Sequence, residues 1–131
     1  MFRKNYTFSE IGEIKDGKSK VQILRTGTFR HPTYGEFSIQ EKDLVEFEKN
    51  FKENKRGIDI CVDDNHDPAH RALGWYKDVF REGGKLYALV EWNKIGLELI
   101  KEKVYRYFSP ELHFEFQDEA SGEVIKNLLI G

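Results

Sequence analysis

The stretch LGWYKDVFREGGKLYALVEW, residues 73–92, constrains the fold more than any other part of the chain. Two strand-like segments flank Gly83–Gly84, and a glycine pair reaches the positive φ that tight hairpin turns require. The segment predicts an antiparallel hairpin. Around it, KVQILRTGTF predicts a strand entering a glycine turn at Gly27, and RHPTYGEF, punctuated by Pro32 and Gly35, predicts a loop. GIDICVD predicts a short apolar strand that runs into DDNHDPAH.

Helical periodicity appears twice. SIQEKDLVEFEKNFKENKRG predicts a helix from near Ser38 to Gly57, with Leu44, Phe47 and Phe51 on one stripe and Val45 widening it. Its acidic residues come early and its KENKR run late, as the helix dipole favours. KIGLELIKEKV predicts a second, shorter helix with Ile95, Leu99 and Ile100 turned inward. YRYFSPELHFEFQD predicts a strand broken by Pro110, in which Leu112, Phe114 and Phe116 alternate with His113 and Glu115. EASGEVIKNLLIG predicts a glycine turn and a last strand, and residues 1–19 a lead-in strand or loose arm.

These elements add up to one α+β, mostly β domain over residues 1–131, or a small closed or partly open β-barrel with two flanking helices. Hydrophobic residues make up 39% and aromatics 14%, which excludes a disordered chain. The 21 basic and 23 acidic residues nearly cancel without forming blocks, so neither nucleic acid nor a membrane is an expected partner. Cys61 is the only cysteine, which excludes an internal disulfide and suits a reducing compartment. No signal peptide or spanning helix is legible, and the expected location is the cytoplasm. The chain stops abruptly at Gly131 on an apolar run, as a trimmed or processed fragment would.

Two stretches carry chemistry. His66 follows a strand and is flanked by Asp63, Asp64 and Asp67, which suits an oriented general base but equally a solvated acidic turn. His66 and His70 with the aspartates also offer metal ligands, but Pro68 opposes a regular helix between them and no third ligand has a recognised spacing. No metal and no cofactor is therefore expected. Ser109 stands before Pro110 in extended geometry, outside any G-x-S-x-G elbow. It needs a base within reach to act as a nucleophile, and local sequence does not bring one. Arg106 fits either an oxyanion contact or a surface ion pair. Trp75, Tyr76, Leu86, Leu89 and Trp92 fit packing, and Cys61 a buried strand position.

Taken in order, VQILRTGTF, VDDNHD, ALGWYKDVF, GGKLYALVEWNKIG, YRYFSPEL and SGEV resemble the Mu-like prophage I proteins, phage prohead (capsid maturation) proteases. That family in turn resembles herpesvirus assemblins, serine proteases on a small β-barrel with surrounding helices. The resemblance implies Ser109 as nucleophile and His66 as general base, with phage scaffold and capsid proteins, and the chain itself, as substrates. It implies action in the host cytoplasm, inside the assembling procapsid. It admits a homodimer, because related viral proteases often work as dimers. The third catalytic member stays open between His113, Asp64 and a residue past Gly131; in the last case this fragment is inactive as it stands. A non-catalytic assembly or scaffold-type domain that keeps the protease fold is the alternative.

Overall fold

A computed structural model describes residues 4–6 (backbone only), 9–33, 35–64 and 71–131. The predicted hairpin is its centre: β7 (Gly74–Glu82) and β8 (Lys85–Trp92) pair from Gly74↔Trp92 to Glu82↔Lys85 around Gly83 and Gly84, both at positive φ. β3 (Lys18–Arg25) pairs with the other edge of β8, and β6 (Cys61–Val62) with the other edge of β7, in the antiparallel order β3-β8-β7-β6. β8 keeps strict alternation, burying Leu86, Ala88, Val90 and Trp92. Its two neighbours each break it once. Ile23 is an extra residue between the pairs Gln22↔Tyr87 and Leu24↔Leu86, and Lys77 between Tyr76↔Val90 and Asp78↔Leu89. Such bulges bend a strand and raise its twist. They explain why Ile23 and Leu24 are both buried although adjacent, and they curl the sheet into a half-barrel.

A second sheet is built from β1 (Lys4–Tyr6), β10 (Glu111–Gln117) and β11 (Val124–Leu129), in the order β1-β10-β11. Two ribbons complete the β structure: β2 (Ser9–Glu10) with β9 (Tyr107–Phe108), and β4 (Gly27–His31) with β5 (Gly35–Ile39). The second ribbon occupies the predicted loop. Its register places Phe29 opposite Phe37, stacked at 5.7 Å, and Phe37 meets Phe114 edge-on at 5.9 Å. Pro32 lies in the turn that joins the two strands, as its signal predicts, and aromatic cross-strand packing draws the flanking residues into pairing. The predicted lead-in strand is present as β1 and β2.

The first helix, α1 (Glu41–Lys52), is shorter than predicted at both ends. Ser38 and Ile39 belong to β5, so the helix starts after Gln40, whose backbone N–H donates to the Asp43 carboxylate at 2.8 Å. It ends where Asn54 takes a positive φ of 53°. α1 lies over β7 and β11 and buries Leu44 and Phe47 completely, whereas Val45 faces solvent at 40% exposure rather than widening the stripe. The buried Asn50 amide donates to the Lys126 carbonyl at 2.7 Å, tying helix to sheet.

The second helix, α2 (Lys94–Lys101), turns Ile100 inward as predicted but not Ile95. Ile95 is 41% exposed, while Gly96 is buried and Leu97 and Ile100 reach the core. Close approach is the reason: a Cβ on Gly96 would stand 2.2 Å from the Leu73 carbonyl oxygen, so only glycine lets the helix sit on that segment. The resulting core is one cluster, joining the inner face of the curled sheet to Leu44 and Phe47 of α1 and to Leu112 and Leu129 of the second sheet. No helix among the described residues is long and apolar enough to cross a membrane.

Candidate active site

Ser109 is held between two buried neighbours. Phe108 packs edge-on against Tyr76 at 5.9 Å and Trp92 at 6.3 Å, and Pro110 is fully buried. The strand before them is fixed by pairing with β2 and by the Ile11 N–H, which donates to the Arg106 carbonyl at 3.1 Å. With its backbone anchored on both sides, the half-buried Ser109 borders a cleft of about 340 Å³. Among the described residues its hydroxyl makes no hydrogen bond. A hydroxyl without a local partner is available to an incoming group.

The same cleft is bordered by Val62, Asp63 and Asp64, the continuation of β6. Thus YRYFSP and the start of the histidine loop, far apart in sequence, reach one site. Asp64 is half-buried and lies 3.8 Å from the Arg71 guanidinium, so an ion pair joins the two ends of the 65–70 segment. His66, His70 and Asp67 fall in that segment, outside the described residues. The remaining walls are apolar and aromatic: Leu73, Tyr76, Trp92, Ile100, Tyr105, Tyr107 and Phe108, with Ile11.

Polar fixings hold this frame. The Trp92 indole N–H donates to the Ser19 hydroxyl at 2.9 Å in the interior. Asn93 is a staple: its backbone N–H donates to the Leu73 carbonyl at 2.9 Å and its amide to the Ala72 carbonyl at 2.7 Å, while its side-chain oxygen accepts the Gly96 N–H at 2.8 Å. The segment leaving the histidine loop is thereby pinned to the start of α2. The Tyr76 hydroxyl donates to the Gly131 carbonyl at 3.0 Å. Burial first, then the Asp63 and Cys61 charges, hold that phenol well above its ordinary pKa, so it is a neutral donor. Burial, followed by Asp63, also pushes the Cys61 thiol up, so it is not an activated thiolate at neutral pH.

The other sequence candidates lie elsewhere. His113 is buried on β10, its Nε2 at 2.5 Å from the Glu111 carboxylate and its ring 5.9 Å from that of Phe116; it does not border the cleft. Arg106 is exposed, its guanidinium 5.8 Å from the Tyr107 ring, and it does not border the cleft either. Trp75 is 38% exposed rather than packed, whereas Tyr76, Leu86 and Trp92 are core. No cluster of three or more histidine, cysteine, aspartate or glutamate side chains suited to a metal occurs among the described residues.

The sequence reading missed the cleft-forming part of Tyr76, Gly96 and Asn93. The signal was present in WNKIG: an asparagine three residues before a glycine is a capping pattern, although the glycine's packing role carries no hydrophobic signature. Residues 21–129 match the family model described as Mu-like prophage I protein, N-terminal domain. No curated protein and no solved structure matches the chain.

Proposed function

The chain belongs to the Mu-like prophage I protein family through its N-terminal domain, and on that premise we propose a serine endopeptidase of phage prohead maturation. It cleaves scaffold and capsid precursors and its own chain in the host cytoplasm, inside the assembling procapsid. The observation that carries this reading is the cleft that Ser109 shares with Asp63 and Asp64 at the entry to the histidine loop.

In this reading the Ser109 hydroxyl gives its proton to His66 as Oγ attacks the scissile carbonyl carbon. The tetrahedral oxyanion collapses, the C–N bond breaks, and His66 returns the proton to the leaving amine. Water then gives a proton to His66 and attacks the acyl carbon, the bond to Oγ breaks, and His66 passes that proton to Oγ, releasing the carboxyl product and restoring Ser109. Asp64 is the better third member, because it borders the cleft whereas His113 is bonded to Glu111. The curled half-barrel supports an assemblin-like barrel as the finer fold, and the working form in this reading is a homodimer.

The test is incubation of full-length protein with scaffold precursor, alongside labelling by a serine-directed phosphonate. Wild type is expected to cleave and to be labelled at Ser109, and Ser109→Ala or His66→Ala to lose about 10⁶-fold in rate. Unlabelled Ser109 together with equal processing by Ser109→Ala would sink the reading and favour a non-catalytic assembly domain.

A further inference from the structure

A second cavity, of about 500 Å³, opens beside the C-terminal end of α1, with Arg56, Ile58, Asp59, Trp75, Tyr76 and Lys77 around it. Tyr76 is a wall of this cavity and of the Ser109 cleft, but the other five side chains belong to this one alone. Arg56 is half-buried, its guanidinium 5.4 Å from the Phe116 ring, and its Nε is fully buried with no hydrogen-bond partner among the described residues. No ion pair joins it to a carboxylate among those residues, Asp59 included. That Nε–H is closed to solvent, so an incoming carboxylate meets the terminal nitrogens of the half-buried guanidinium. A guanidinium fork matches a carboxylate in both spacing and charge.

Two further features narrow the ligand. Lys77 adds a second cation to the rim, although it also reaches Glu91 at 3.9 Å, so two positive groups face the single Asp59 on a chain of net charge −2. Ile58 and Trp75, 58% and 38% exposed, supply apolar surface beside them. An inorganic anion would satisfy the charge and leave that surface uncovered. We propose that this cavity is a docking site for an acidic peptide segment of a partner protein. One aspartate or glutamate carboxylate pairs with Arg56, and a neighbouring large apolar side chain lies on Ile58 and Trp75. The inference does not depend on peptidase activity.

The experiment is a nitrogen-15 NMR titration of the full chain with N-acetyl-Leu-Glu-Phe amide, up to about 5 mM. The Arg56 Nε–H and Trp75 indole N–H signals are expected to shift together and saturate. The peptide with glutamine in place of glutamate is expected to bind about tenfold more weakly or worse. Arg56→Met, shown to be folded by its melting curve, is expected to lose that discrimination; should it not fold, the glutamate–glutamine comparison on wild type decides alone. Four results would each overturn the proposal. These are equal shifts with both peptides, no shift by about 5 mM, tighter binding of inorganic phosphate than of the peptide, and shifts that follow protein concentration alone, which would make the occupant a second copy.

Discussion

Replacing Gly96 by alanine tests how α2 and the histidine-loop exit are joined. The added Cβ would lie 2.2 Å from the Leu73 carbonyl oxygen and 3.1 Å from its carbon, with the Trp92 ring at 3.3 Å. An ordinary carbon–oxygen contact is about 3.3 Å or more, so helix and segment must part by about 1 Å. That separation stretches the Asn93 bonds to Leu73 and Ala72, each worth about 1 kcal/mol net, and it adds overpacking strain of about 1–3 kcal/mol. Alanine's better helix propensity returns about 1 kcal/mol. The net expectation is a loss of about 2–4 kcal/mol, a fall in Tm of about 10 °C for a chain of this size. Urea unfolding read by tryptophan fluorescence measures it. Gly122→Ala is the control: its Cβ meets nothing within 4 Å, and only the positive φ of 74° is strained, at a cost of about 1 kcal/mol. If Gly96→Ala is as stable as wild type, or no worse than Gly122→Ala, the helix does not rest on Leu73 and the account of this wall fails.

Two further predictions concern pH. Tyr76 has a folded pKa raised by burial, then by Asp63 and Cys61, so its contribution to stability is complete below the unfolded value near 10.0 and is lost as pH rises through the folded one. Tyr76→Phe should cost about 1 kcal/mol at pH 7 through the lost bond to Gly131, but should show a shallower alkaline decline in urea titrations above pH 10; an unchanged slope would refute the assignment. For Glu48, burial pushes the carboxyl up, but hydrogen bonds from the Arg81 side chain and backbone, with Lys52, outweigh it and leave the pKa below 4.5. Its contribution is present above the unfolded value and lost as pH falls through the folded one, so Glu48→Gln should flatten the acid limb of a stability curve below pH 4.5, and parallel limbs would speak against it.

What the sequence made legible follows from what side-chain pattern encodes. The β7–β8 hairpin and the Leu44–Phe47 stripe of α1 were readable because period and turn chemistry agreed there. The β4–β5 ribbon was not, because its pairing depends on Phe29, Phe37 and Phe114 meeting across the fold. On α2 Ile100 was placed correctly and Ile95 was not, because the helix's tightest contact is made by Gly96, a residue with no side chain. For the site, the resemblance picked out Ser109 and the aspartate loop, and the structure brings Ser109, Asp63 and Asp64 to one cleft. The aromatic walls and the Asn93 staple arise from three separate segments, whose convergence no local pattern records.

The bulges at Ile23 and Lys77 have a consequence for how this shape tolerates change. β3 and β7 each run one residue longer than the stretch of β8 they flank, so the curl is stored as a mismatch in length between neighbouring strands. Side-chain exchange at either position leaves that mismatch intact. Removing Ile23 or Lys77 erases it: the remaining pairs keep their partners and faces, but the strand loses the bend that the extra residue supplies. Lineages of this domain should therefore drift freely in composition along these strands while keeping their residue count.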